Sequence, residues 1–430
     1  MTNAAPKGWT EVPLGEIATC QGGSAFSPAL QGRTAGDIPF FKVSDMNLPG
    51  NGWFMRRANN YVSLSDTSRI LGAEKPSGSV IFPKVGAAVH TNKKRQLTQD
   101  SFVDNNVMAV WSKDPERCRP GFLYLYFLTV DLSTMSNPGP LPSINNSKVY
   151  EQTIRLPTSL EQDRICATML TIRRAIEAEE KAITLIREVK QAALLRLFSQ
   201  GLRGESLRDT EIGLVPASWD IQPFAELREF LQYGTSVKCD YALEGNPVLR
   251  IPNVVDGRVD YRDLKRCRLD SDTVASLLLE PGDILFIRTN GVRERVGTCA
   301  VYDGVPEQAL FASYLIRARP KRGVLNPQYL QYFTATRTGA SQLAGRSSPA
   351  ADGKFNINTK SIDAVLVPIP SEAEQNDIVG VLETIDAAAT SYERRRATLS
   401  ELFATLLEKL MTADLRVDHL NIDTSLMTAA

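Results

Sequence analysis

Pro157-Thr158-Ser159-Leu160-Glu161-Gln162 returns as Pro370-Ser371-Glu372-Ala373-Glu374-Gln375. These hexapeptides sit inside a longer recurrence, in which residues 144–203 align without a gap on 357–416 at a constant offset of 213, with 15 identities in 60 positions. Ile144-Asn145 falls on Ile357-Asn358, and Leu202-Arg203 falls on Leu415-Arg416. An unbroken register of that length marks a duplicated unit.

Each hexapeptide reads as the start of a helix. Thr158 and Ser371 stand three residues before Glu161 and Glu374, the spacing of a capping box that satisfies orphan backbone donors. From there the helical pattern runs about 40 residues, on the order of 60 Å. In the second segment Ile378, Leu382, Ile385, Ala389, Tyr392, Arg396, Leu399, Phe403, Leu406 and Leu410 step by four and three. The first carries the same register at Ile165, Met169, Ile172, Ile176, Glu179, Ile183, Ile186, Lys190, Ala193 and Leu197. A 3.5-residue period over five heptads is a coiled-coil seam, and two seams in one chain predict that the helices pair. The alternative is two amphipathic helices, each lying on its own domain.

Outside the helices the repeat is looser. Trp9 answers Trp219, Pro39-Phe40-Phe41-Lys42-Val43 answers Pro247-Val248-Leu249-Arg250-Ile251, and Gly78-Ser79-Val80-Ile81-Phe82 answers Gly282-Asp283-Ile284-Leu285-Phe286. The predicted organisation is a domain at 1–156, a long helix at 157–203, a second domain at 204–369, a second long helix at 370–416 and a tail at 417–430. Self-complementary pairing of two copies favours a pseudo-two-fold with antiparallel helices. The expected fold class is α+β: two α/β domains separated by two long antiparallel helices that form an intramolecular coiled coil.

Within the two domains, short apolar runs broken by glycine, proline and asparagine predict strands. Ile38–Val43, Ser79–Phe82, Val107–Trp111, Asp283–Ile287 and Tyr314–Ala318 are the clearest, while Gly121–Leu128 and Pro327–Phe333 read as short helices. The runs end in polar and basic loops. Arginine, lysine, asparagine and glutamine are the side chains that read base edges, and loops held on a strand scaffold are where such readers sit. The DNA-facing candidates in the first domain are Lys42, Lys84, Asn92, Lys93, Lys94, Arg95, Gln96 and Asn105. In the second they are Arg250, Asn253, Arg288, Thr289, Asn290, Arg293 and Arg295. Any one of them is equally compatible with a solvated loop; clustering is what points to DNA.

At 430 residues the chain exceeds one ordinary domain. No apolar run approaches the roughly 20 residues that cross a bilayer, and Met1–Thr10 lacks the pattern of a signal peptide, so a cytoplasmic location is expected. Six scattered cysteines without a CxxC pair and only two histidines, His90 and His419, make a zinc site or disulfide framework an unpromising reading. Formal net charge is zero, yet its distribution is uneven: residues 1–156 hold 16 basic and 12 acidic side chains. Residues 204–370 hold 20 of each, and 15 of those 20 cations are arginine, the residue suited to planar bidentate contacts.

No phosphate-cradling glycine loop and no paired-histidine metal motif occurs. Asn326-Pro327-Gln328-Tyr329 approaches the Asn-Pro-Pro-Tyr of adenine methyltransferases but carries glutamine at the third position and lacks a glycine-rich cofactor loop. A helix start is the better reading. No catalytic residue and no metal ligand is expected.

Taken together, the twin Pro-x-x-x-Glu-Gln entries into long helices, and Ile212-Gly213-Leu214-Val215-Pro216 followed by Trp219, resemble the specificity subunits of type I restriction-modification systems. Gly345–Ala350 and Lys354–Asn358 look like that family's segment before the second long helix, which adds Arg346 and Lys354 to the candidates. The resemblance implies two target recognition domains, each reading one half of an asymmetric bipartite target in double-stranded DNA, with the helices setting the gap. It implies assembly with two methyltransferase subunits and with translocase-nuclease subunits. S-adenosylmethionine, ATP and magnesium would then belong to those partners. The rival readings are a methyltransferase or nuclease acting alone, and a coiled-coil protein scaffold indifferent to DNA.

Overall fold

A computed structural model describes residues 6–137, 139–350 and 352–424. Residues 1–5, at the start of the expected first domain, and 425–430, in the expected tail, lie outside the described residues. Two compact units divide the chain, one comprising residues up to Glu179 and from Arg395 onward, the other Glu180–Arg394. The division cuts through both long helices, Ser159–Gln200 and Glu372–Thr412. Each unit therefore contains half of each helix.

In the first unit, strands Ala18–Gly22, Val107–Ser112, Val80–Pro83, Arg95–Leu97 and Phe54–Met55 form a sheet in that spatial order. A smaller sheet joins Tyr61–Val62, Ile38–Phe41 and Phe102–Val103. Central strands such as Val80–Pro83 are buried at every position, which is why they read as continuous apolar runs rather than alternating ones. Helix Pro120–Thr129 covers the sheet, Phe127 stacking on Phe82 with ring centroids 5.4 Å apart.

The second unit repeats this plan with Arg228–Tyr233, Leu315–Pro320, Ile284–Ile287, Cys299–Val301, Arg258–Val259 and Val254–Val255 in one sheet. Lys265–Cys267, Asn246–Leu249 and Leu310–Phe311 form the smaller one. In both units a two-stranded closure leads into a long helix: Thr10–Pro13 pairs with Thr153–Leu156, and Asp220–Pro223 pairs with Leu366–Ile369. The hairpin of Leu207–Thr210 and Gly213–Pro216 is present in the second unit.

Within the first unit the helix halves lie side by side and run antiparallel: Glu161 meets Arg416, and Glu179 meets Arg395. Ile165, Met169 and Ile176 share a core with Phe403 and Leu410, with Ile172, Leu399 and Leu406 packed at its margin. Within the second, Arg187 meets Glu393 and Lys190 meets Asp386 at 2.6 Å. There Leu197 shares a core with Ile378 and Leu382, and Ile385 packs against it. Ile183 is buried and Ile186 half-buried, whereas Arg396 is exposed and leaves the seam. The polar seam positions Glu179 and Lys190 are thus occupied by interhelical ion pairs.

The same cores also contain the sheet and helix residues of their units, so pairing and lying on a domain are not exclusive. Phe403 stands edge-on to Trp53 at 4.6 Å, and Phe198 packs against Tyr329 at 4.9 Å. Burying one such aromatic is worth roughly 2–3 kcal/mol. The capping box is only half formed. Thr158 Oγ1 accepts from Glu161 N at 3.3 Å and Ser371 Oγ from Glu374 N at 3.4 Å. The glutamate carboxylates turn away to tryptophan and arginine partners instead. Among the described residues no helix is long and apolar enough to cross a membrane.

Candidate nucleic-acid interface

In the second unit a small three-stranded sheet collects most of the predicted cations. Thr289–Asn290 pairs with Phe355–Asn356, which pairs in turn with Ser348–Pro349. Residues some 60 positions apart in the chain, Arg288 to Arg295 on one side and Arg346 to Lys354 on the other, are thereby brought together. Arg293 anchors the join, its Nε donating to Ala344 O at 3.1 Å while its guanidinium lies over the Phe355 ring at 5.6 Å. Arg295 is exposed and Arg346 half-buried, with Nη1 donating to Gln342 O at 3.2 Å.

Arg288 leaves the buried strand Ile284–Ile287 and rests over the ring of Tyr233 at 4.8 Å, one N–H donating to Ser313 O at 3.2 Å. Tyr233 is fixed at its other end, its hydroxyl accepting from Thr359 N at 3.3 Å. Tyr314 projects beside them with 59% of its surface exposed. Lys354 is paired with Asp352 at 2.8 Å, which raises the pKa of the lysine and lowers that of the carboxyl. Cations backed by aromatic faces are the side chains that hold phosphates and stack on bases.

In the first unit Lys84 follows the buried strand Val80–Pro83 and sits against Gly22, where an added Cβ would lie 2.6 Å from its Nζ. Asn105 is exposed in the turn that Val107 N closes on Asp104 O at 2.8 Å. Lys42 lies over the Phe26 ring at 5.3 Å and donates to Gln31 Oε1 at 3.1 Å. Asn92 ends a short helical turn in the left-handed region, φ 53°, and Lys93 donates to Asn47 Oδ1.

Several candidates point inward, and for them the expectation of reaching DNA is corrected. Lys94 is buried, with Nζ donating to Asn92 Oδ1 at 2.7 Å and to Val130 O at 2.5 Å; burial lowers its pKa to about 8. Gln96 is buried and donates to Gly78 O at 3.1 Å. Arg95 is half-buried, spending donors on the carbonyls of Asn51, Lys94 and Met46. Asn253 is buried and caps its own turn, Oδ1 accepting from Arg250 N at 2.9 Å. Thr289 is buried within the small sheet. Arg250 stays near the surface but is committed to Asp263 at 3.1 Å. Buried polar groups need such partners, and loops meet the need with their own side chains.

The sequence reading missed Tyr233 and Tyr314, aromatic side chains with neither the charge nor the amide that marks a base-edge reader. It also missed the exposed Arg56 and Arg57. Asn326 behaves as the expected helix start, Oδ1 accepting from Gln328 N at 2.8 Å and Tyr329 N at 3.2 Å. Tyr329 is fully buried and donates to Pro368 O at 2.8 Å. Among the described residues no group of histidine, cysteine, aspartate and glutamate side chains is arranged to hold a metal.

Residues 6–188 match the family model described as the type I restriction modification DNA specificity domain. The type I restriction enzyme MjaX specificity subunit of Methanocaldococcus jannaschii is 26% identical over 217 residues, 50% of this chain and 51% of that protein. The EcoKI specificity subunit of Escherichia coli is 25% identical over 299 residues, 66% of this chain and 62% of that one. The chain thus spans about half to three-fifths of the length of these two relatives. The EcoBI specificity subunit of Escherichia coli aligns over 95% of this chain and 86% of its own length at 19% identity. The crystal structure of a type I S subunit from M. genitalium has the same fold, with TM-score 0.57 and 14% identity over 95% of this chain and 97% of that one. Residues 6–188 thus match the type I restriction modification DNA specificity domain, and the chain is similar in sequence to type I specificity subunits and in fold to a type I S subunit.

Proposed function

We propose that this chain is the non-catalytic DNA-reading subunit of a type I restriction-modification complex in the cytoplasm. Each target recognition domain, 1–156 and 204–369, reads one half of an asymmetric bipartite sequence in double-stranded DNA. The spacer helices, 157–203 and 370–416, form an intramolecular coiled coil that sets the gap between the halves. Half-sites read from one face of the duplex then lie about one helical turn, near 34 Å, apart. Two methyltransferase subunits and translocase-nuclease subunits supply the chemistry, with S-adenosylmethionine, ATP and magnesium bound to them and not to this chain.

The observation that carries this reading is the repeated scaffold: a buried strand delivers a cation to a loop cluster in each unit, through Lys84 in one and Arg288 in the other. Phosphate contacts from lysines and arginines would hold register, and loop side chains would supply base preference.

Methylome sequencing of the host tests it. A two-part, asymmetric adenine-methylation motif that disappears when this gene is deleted is the expected result. Insertion of one heptad into a long helix is expected to change the gap and keep both half-sequences. A changed half-sequence with an unchanged gap contradicts the proposal.

A further inference from the structure

We propose that Lys84 and Arg288 occupy the same base-reading position in the two units, and that Arg288, supported by the ring of Tyr233, selects guanine in its half of the target. The proposal rests on the DNA-reading function argued above and assigns a specificity-determining residue to each half.

The equivalence follows from backbone hydrogen bonds rather than from sequence similarity. Lys84 N donates to Asn106 O at 2.9 Å, and Lys84 O accepts from Ile144 N at 2.8 Å. Arg288 N donates to Tyr314 O at 2.9 Å, and Arg288 O accepts from Ile357 N at 2.9 Å. Ile144 and Ile357 are themselves repeat partners. Strand register agrees: Phe82 and Gly22 both oppose Met108, as Phe286 and Tyr233 both oppose Ile316. The next residue along is glycine in both units, because a Cβ on Gly23 would lie 2.1 Å from Val103 O and one on Gly234 2.2 Å from Phe311 O. Positions 22, 84 and 106 therefore coincide with 233, 288 and 314.

One scaffold thus displays two different chemistries. The first unit presents lysine over glycine beside asparagine, the second arginine over tyrosine beside tyrosine. The substitutions are coupled by space. Lys84 Nζ occupies the place a side chain at position 22 would take, while Arg288 needs the ring at 233 to support its larger guanidinium. A planar guanidinium with paired N–H groups matches the O6 and N7 acceptors of guanine, whereas an ammonium is a point donor with less power to discriminate. Among the described residues no hydrogen bond engages Lys84 Nζ, and Arg288 spends one N–H on Ser313 O. Both retain donors for a ligand.

The test is selection from a randomised duplex library by the full chain assembled with its methyltransferase subunits. The wild-type complex is expected to enrich a two-part sequence containing a guanine in one half. Arg288→Ala is expected to reduce the preference for that single guanine about 10- to 100-fold, with the other half unchanged. Lys84→Ala is expected to relax one position in the other half only. The pair Tyr233→Gly with Arg288→Lys installs the first unit's arrangement and is expected to alter preference at the same position, which guards against a single variant that fails to fold. Uniform weakening on all sequences by Arg288→Ala, with base preference intact, overturns the proposal by making Arg288 a phosphate contact. A wild-type complex that enriches no two-part sequence defeats the DNA-reading function itself, and this proposal with it.

Discussion

Arg416 lays its guanidinium on the carboxylate of Glu161, Nε to Oε1 at 2.6 Å and Nη2 to Oε2 at 2.8 Å, across 255 positions of sequence. The end of the second long helix is thereby tied to the start of the first, inside one unit. The other unit repeats the tie in reverse, with Arg203 Nε 3.4 Å from Glu374 Oε2. In each a tryptophan completes the group: Trp9 Nε1 donates to Glu161 at 3.2 Å and Trp219 Nε1 to Glu374 at 3.4 Å. Both glutamates are buried, so each carboxylate depends on these donors for solvation.

Arg416→Ala is expected to destabilise the first unit by about 2 kcal/mol, because it strands a buried carboxylate. Arg203→Ala is expected to cost less than about 1 kcal/mol, since Arg203 is 55% exposed and its contact is longer. Urea denaturation of the two variants checks the ordering. Equal effects would mean that the indole bonds carry most of the load.

Lys94 gives the first unit a pH signature. Burial disfavours the charged form and lowers its folded pKa to about 8, from the 10.5 of an ordinary lysine. Between those values the unfolded chain binds more protons, so this group's contribution to stability rises as pH increases through the window. Denaturation midpoints at pH 7 and pH 9.5, compared between wild type and Lys94→Met, are expected to show that the rise is smaller in the variant.

Gly234→Ala places a methyl group 2.2 Å from Phe311 O, and backbone cannot yield as a flexible side chain does. A loss of about 2 kcal/mol in the second unit is expected. Displacement of the adjoining Tyr233 should loosen base preference in one half-target alone. Thermal unfolding followed by library selection separates the two effects.

Lys354 is exposed and paired with an exposed Asp352, a geometry suited to phosphate rather than to a base edge. Lys354→Ala is expected to weaken all sequences alike and to lower the slope of log affinity against log salt by about 1. A change confined to one base position would instead make Lys354 a reader.

What the sequence determined alone was everything written in local periodicity. The 3.5-residue step from Ile378 to Leu410 is a helix seam wherever it lands, and runs such as Val80-Ile81-Phe82 or Ile284-Leu285-Phe286 are strands because they are apolar without interruption. The offset of 213 further tied one unit to the other. Tertiary structure alone decided which polar residues face outward. Lys93 and Lys94 are neighbours of like charge, yet one donates to Asn47 near the surface and the other is buried against Val130 O. Loops have no period from which orientation can be read. The glutamates of the helix entries illustrate the same limit: their spacing announced a cap, but their partners, Trp9, Arg416, Trp219 and Arg203, lie 152 to 255 positions away. Contacts at such separations are fixed by how the sheets and helices close on each other, which no local pattern encodes.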